Sequence, residues 1–166
     1  MNDISKTLQE GQQTDILILD FAKNFDKVNH SLLIHKLQHY DIIGKSVKWI
    51  QNWLANRKQS VIIDGSNSDA VSVDSGVTQV SVLGPGLFLY YITDLQSRLT
   101  STVRLLVDDT IAYLTISNNN DAEILQKDID RLGQSENEWC MKFHPDKCTV
   151  LRVTNKKKKI DATGIR

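Results

Sequence analysis

The sequence predicts an α+β fold: a mostly antiparallel βαββαβ sheet with helices on one face, carrying an inserted helix pair and an inserted β-hairpin. Three observations predict it. Ile16-Leu17-Ile18-Leu19 is a short continuous apolar run, the pattern of a strand buried on both faces. Apolar residues recur at helical spacing in four separate stretches. At two places, β-rich runs flank a cluster of turn residues. Setting the insertions aside, the order is strand, helix, hairpin, helix, strand, the split unit of α+β domains.

The elements follow in order. The first strand ends in Asp20, and Phe21 to Asn29 turn the chain. Ser31 to Tyr40 is a helix carrying Leu32, Leu33, Leu37 and Tyr40. After Ile43-Gly44-Lys45 a second helix runs through Val47, Ile50, Trp53 and Leu54, and Asn56-Arg57-Lys58 closes it. Gln59 to Asp64 and Ala70 to Asp74 read as strands around the turn Gly65-Ser66-Asn67-Ser68. Ser75 to Pro85 is a loop. Leu87 to Leu99 reads as one helix, with Leu87, Tyr91, Leu95 and Leu99 four apart. Val103 to Val107 and Thr110 to Ile116 form a hairpin with Asp108-Asp109 at its turn. Asn120 and Glu123 resemble a capping box opening a helix with Leu125, Ile129, Leu132 and Trp139. Cys148 to Val153 is the last strand, and a basic tail begins at Lys156 to Lys159.

The totals exclude several classes. With 166 residues, 40% of them hydrophobic and 24% charged, the chain fits one ordinary globular domain rather than a disordered segment. No apolar run approaches the roughly 20 residues of a membrane-spanning helix. Cys140 and Cys148 are too few and too far apart for a zinc knuckle or a redox pair, which places the chain in a reducing intracellular setting, cytoplasmic or nuclear. Lys plus Arg equal Asp plus Glu at 20 each, whereas a free-standing nucleic-acid binder carries a basic excess.

Asp20 ends the first strand, and Asp108 and Asp109 stand at a hairpin turn. If those strands are neighbours, three carboxylates converge at one sheet edge. Adjacent carboxylates resist joint ionisation unless a cation neutralises them. Two Mg²⁺ ions would do so, and such a pair serves in-line phosphoryl transfer. Asp is also a common turn residue, so the spacing alone is equally that of an ordinary hairpin.

The wording around these acids is more specific. Leu19-Asp20-Phe21-Ala22-Lys23-Asn24-Phe25-Asp26-Lys27-Val28 resembles LDFSKAFDKV, the first palm motif of non-LTR (LINE-type) retrotransposon reverse transcriptases. Ser75-Gly76-Val77-Thr78-Gln79-Val80-Ser81-Val82-Leu83-Gly84-Pro85 resembles SGVPQGSVLGP, and Leu87 to Leu95 continues it. Val103 to Thr110 resembles VRLFADDT. Trp139 to Cys148 resembles W-x-M-x-F-N-P-x-K-C. Four ordered motifs span roughly residues 14 to 154.

The resemblance implies a polymerase palm and RNA-directed DNA synthesis by this nucleotidyltransferase class of transposable element. It implies that Asp20, Asp108 and Asp109 bind two Mg²⁺ ions, with Mn²⁺ as a substitute, and that the backbone at Phe21 helps hold metal-bound phosphates. Phe25 matches the aromatic residue under the incoming sugar, although its plain reading is a core residue. Gln79 matches the residue near nucleotide and template. Lys147 matches the lysine that protonates the pyrophosphate leaving group, a general acid. The implied partners are an RNA template, a DNA primer and deoxynucleoside triphosphates, with no membrane.

The implied organisation is residues 1 to 13 as the end of a fingers region, 14 to 154 as the palm, and 155 to 166 as a basic disordered tail, with fingers and thumb belonging to the parent polymerase. Thr78 stands for the family's Pro and Val80 for its Gly, which otherwise lets backbone approach the nucleotide. Asn24, Gly86 and Leu106-Val107 also depart. The expectation is therefore a truncated, inactive remnant of a retroelement. Two alternatives stay open: a non-catalytic nucleic-acid-binding or protein-interaction module, and a metal-dependent phosphohydrolase using the same acids. His35 and His39 read as a solvated helix face, Trp49, Trp53 and Trp139 as core, and Lys156 to Lys159 as a basic patch.

Overall fold

The computed structural model describes residues 2–105 and 109–155, the side chains of residues 2 and 109 excepted. Asp108 and the Lys156 to Lys159 patch lie outside the described residues. The chain forms two compact units, Met1–Ala22 with Thr93–Arg166, and Lys23–Ile92.

The first unit opens with α1 (Asn2–Gln9), a helix in the stretch the sequence assigned to the end of a fingers region. Then comes β1 (Gln13–Asp20), three residues longer at its start than its apolar run. Two helices of this unit follow later in the chain, as do three strands. The sheet they complete has the order β6-β7-β1-β8, with every neighbouring pair antiparallel. Here β6 is Thr102–Leu105, β7 is Asp109–Ile116 and β8 is Thr149–Thr154. A ladder on each side explains the unbroken burial of β1 from Gln13 to Leu17, since its backbone groups are paired on both edges.

That burial extends to Asp15, which is fully enclosed. Its register partner on β8 is Arg152, whose Nε donates to the carboxylate at 3.2 Å, and the Gln13 amide adds a bond of 3.0 Å. A buried charge is tolerated only when paired and hydrogen-bonded in this way.

The second unit holds α2 (His30–His39), capped by the Asn29 side chain accepting from the Leu32 N–H, and α3 (Lys45–Leu54). Its hairpin corrects the turn expected at Gly65 to Ser68. The inner strands β3 (Ile62–Ile63) and β4 (Ser66–Asn67) meet at Asp64-Gly65, and the outer β2 (Lys58–Gln59) and β5 (Val71–Ser72) pair below them. Asp64 and Gly65 both have positive φ, 48° and 80°, the two-residue turn that matches strand twist.

The helix expected from Leu87 to Leu99 is two: α4 (Gly84–Ile92) and α5 (Leu95–Arg98). Consecutive β-branched Ile92 and Thr93 weaken the helix. Asp94 then directs its carboxylate to the Trp139 indole N–H at 3.3 Å and to Arg98 at 3.4 Å.

Helix α6 (Asn119–Trp139) begins one residue earlier than Asn120, with Asn118 as N-cap and Asp121 completing the capping box. Its buried stripe passes through Asp128, not Ile129. Asp128 is enclosed because its carboxylate accepts from the Ser101 N–H at 2.7 Å, the Ser101 hydroxyl at 2.6 Å and the Thr100 N–H at 3.0 Å. Trp139 is buried, Trp53 half-buried, and Trp49 is 55% exposed, so Trp49 does not belong to the core. His35 and His39 are exposed.

Candidate catalytic carboxylate site

Asp20 is the last residue of β1, and its register partner on β7 is Asp109. Directly opposed residues on antiparallel strands lie about 4.5–5.5 Å apart at Cα. Two positions of the expected triad are thus neighbours at one sheet edge, joined by pairing rather than by sequence proximity. Among the described residues no group of three His, Cys, Asp or Glu side chains gathers to hold a metal, and the side chains at 108 and 109 fall outside them.

The Asp20 edge is held by the segment after α6. Cys140 ends that helix in the left-handed region, φ 53°, and the Met141 N–H reaches back to the Glu136 carbonyl. The Glu136 carboxylate accepts from the Phe143 N–H at 2.7 Å. Phe143 then bridges Phe21, their rings stacked at 4.5 Å, and the Ala22 N–H donates to the Lys142 carbonyl at 2.7 Å. The His144 N–H donates to the Asp20 carbonyl at 2.8 Å. This seam delivers Lys147, whose ammonium stands 3.4 Å from the Asp20 carboxylate. Phe21 itself is buried.

Phe25 and Gln79 belong to the second unit. Phe25 is buried, its ring 5.1 Å from that of Phe88, and its carbonyl accepts from the Val77 N–H. Gln79 is exposed in the loop after Gly76. That loop is packed closely onto residues 25 and 26. Gly76 has φ 87°, and a Cβ there would meet the Asp26 Cα at 2.8 Å. Gly84 admits no side chain either, since a Cβ would lie 2.0 Å from the Thr78 carbonyl oxygen. Val80 is 96% exposed, so its side chain strains nothing within the chain.

With this geometry in place, comparison with known proteins decides the family. The reverse transcriptase (RNA-dependent DNA polymerase) family profile matches residues 2–166. The chain belongs to the reverse transcriptase family. It is 27% identical over 165 residues to the RNA-directed DNA polymerase from mobile element jockey of Drosophila funebris, covering 93% of this chain and 18% of that protein. The jockey polymerase of Drosophila melanogaster is 28% identical over 148 residues, 83% of this chain and 16% of that protein. The Pol polyprotein of type-1 retrotransposable element R2 from Popillia japonica is 23% identical over 90 residues, 54% of this chain and 15% of that one. The chain therefore spans less than a fifth of these relatives, and they support the non-LTR retrotransposon assignment that the four motifs gave. A Candida tropicalis telomerase structure, truncated from its C-terminal domain, aligns at TM-score 0.65 and 13% identity over 95% of this chain and 35% of that one, which supports the palm fold.

Sequence reasoning missed Arg57. Its guanidinium donates to the Thr78 hydroxyl at 2.9 Å, to the Gly76 carbonyl and to the Leu54 carbonyl at 3.3 Å, and lies 5.7 Å from the centre of the Trp53 ring. The His30 ring also bonds the Gly76 carbonyl, at 2.8 Å. No local signal marks the hold of Arg57 on the loop, because Gly76 and Thr78 lie 19 and 21 residues away.

Proposed function

We propose that this reverse transcriptase chain supplies the palm of an RNA-directed DNA polymerase, over residues 14–154, with Asp20, Asp108 and Asp109 as its metal-binding carboxylates. The observation that carries the reading is the register pair Asp20–Asp109, which brings acids 89 residues apart in sequence to one sheet edge. The donor set fits: carboxylate oxygens, with the backbone at Phe21 beside them, are the hard ligands Mg²⁺ or Mn²⁺ takes. Two such ions, when bound, activate a primer 3′-hydroxyl and neutralise phosphate charge.

The protein's own groups do the rest. Lys147, with its side-chain nitrogen 3.4 Å from the Asp20 carboxylate, is the group we assign as proton donor to a departing pyrophosphate. Phe25, fixed against Phe88, is the ring that excludes a 2′-hydroxyl. Gln79 meets nucleotide and template. Base pairing with an RNA template selects the deoxynucleoside triphosphate, so the protein reads shape rather than base edges.

A second reading is favoured by Val80, whose exposed branched side chain stands where the family's glycine leaves backbone open. It makes the chain a remnant that binds nucleic acid without turnover, and no helix among the described residues is long and apolar enough to cross a membrane. One experiment separates the two: Mg²⁺- or Mn²⁺-dependent extension of a DNA primer on RNA, run beside binding of a labelled RNA–DNA hybrid at graded salt. Extension abolished by Asp20→Asn supports polymerisation. Salt-dependent binding without extension supports the remnant, and neither result overturns both.

A further inference from the structure

The loop from Ser75 to Gly84 combines conformational demand with a substitution. At position 78 the family's motif has proline, whose ring fixes φ and removes backbone freedom from the unfolded chain. Threonine supplies neither. In this chain the Thr78 hydroxyl instead accepts from the Arg57 guanidinium at 2.9 Å, while a second nitrogen of the same group donates to the Gly76 carbonyl. Arg57 is itself fixed from behind by the Leu54 carbonyl and the Trp53 ring. Its backbone carbonyl accepts from the Val73 N–H at 2.9 Å, just after β5 on the way into the loop. The guanidinium is a rigid fork, so two bonds from it define both the position and the rotation of the segment they hold.

We propose that Arg57 is the positioning residue of the Gln79 loop, and that its bonds to Thr78 and Gly76 hold this loop where proline does so in the family. The arrangement extends to the cleft of about 430 Å³ that Arg57, Ser75, Gly76, Thr78 and Gln79 line with Asp26. Residue 79 directly follows Thr78, which is held by a charged group, and lies three residues beyond the closely packed Gly76. The backbone leading into Gln79 is thereby held by Arg57, three residues past the end of α3 and 22 residues earlier in the chain. The functional half of the inference rests on the reading of Gln79 as a nucleotide-site residue; the positioning half does not.

The test is amide hydrogen exchange on the whole chain, with dATP and Mg²⁺ binding measured on the same samples. Arg57→Met is expected to speed exchange at the hydrogen-bonded amides of Gly76 and Val77 by about tenfold, the order set by losing charge-assisted hydrogen bonds, with the β1 and β7 amides unchanged. Arg57→Lys, which keeps the charge and loses the fork, speeds it nearly as much. Thr78→Pro placed in the Arg57→Met chain brings the loop back to within about threefold of the original. Thr78→Val, which deletes only the hydroxyl, gives a smaller loosening confined to the same amides, and gives no further loosening when added to Arg57→Met. Unchanged exchange in Arg57→Met, or full additivity of Thr78→Val with it, overturns the proposal. Failure of Thr78→Pro to restore the loop, with the remaining amides still protected, overturns the substitution for proline. If the loop loosens as expected while Gln79→Ala leaves nucleotide affinity unchanged, positioning stands and the nucleotide role of Gln79 falls.

Discussion

The Lys147 ammonium lies 3.4 Å from the Asp20 carboxylate, although 127 residues separate them. Both ends of this contact carry roles in the proposed chemistry, one as proton donor and one as metal ligand. Lys147 is 60% exposed, so the pair holds little stability of its own. On the proposed assignment of Asp20 as a metal ligand, Lys147 and a metal ion would share one carboxylate.

If Asp20 is a metal ligand, metal binding competes with Lys147. Lys147→Met is expected to tighten Mn²⁺ binding by about threefold, within the range an exposed ion pair sets, while Asp20→Asn weakens it by more than that. Water-proton relaxation titration reads both. Equal affinity in all three chains sinks the assignment of Asp20 as a ligand.

The enclosed pair of Asp15 and Arg152 makes a second expectation. Arg152→Leu leaves a carboxylate buried and unpaired, and the expected loss is about 3–5 kcal/mol in urea unfolding. Asp15→Leu combined with Arg152→Leu recovers most of that, because two apolar groups of similar volume carry no desolvation cost. A double variant as unstable as the single one contradicts the account.

Gly84 opens α4 with no room for a methyl group, the Thr78 carbonyl oxygen lying 2.0 Å from its would-be Cβ. Gly84→Ala must push the Thr78 turn aside. The expected signature is chemical-shift change concentrated at residues 76–84. Gly86→Ala, where nothing stands within 4 Å of a Cβ, leaves those shifts in place.

Asp3 on α1 is held below the ordinary carboxylate value of 3.8, first by the hydrogen bond from Tyr113 and then by Arg104. A carboxyl with a lowered folded pKa stabilises the contact above its unfolded value, and the contribution disappears as pH falls through the lowered one. NMR titration of Asp3 should show the depressed midpoint, and Tyr113→Phe should raise it. A midpoint unmoved by Tyr113→Phe refutes the cause.

Much of the fold was legible because local patterns agree with it. The run Ile16 to Leu19 marked the central strand, and the spacing of Leu33 and Leu37 marked α2. Errors fell where a distant partner overrode a local preference. Asp128 occupies a buried helical position that composition assigns to Ile129, because backbone donors at Thr100 and Ser101 await it. Asp94 leaves the helix that four-residue spacing had carried to Leu99, its carboxylate taken by Trp139. The Asp64-Gly65 turn was missed although its signal was local.

The sequence by itself determined the identity of Asp20 as a candidate acid, the order of the four motifs and hence the family. Those depend on residue type and spacing along the chain, which survive without coordinates. Only the tertiary structure decided that residue 109 stands opposite residue 20, that Lys147 returns to Asp20, and that Arg57 bonds Gly76 and Thr78 ahead of Gln79. Each is a contact across many residues, set by strand register and side-chain reach rather than by local propensity.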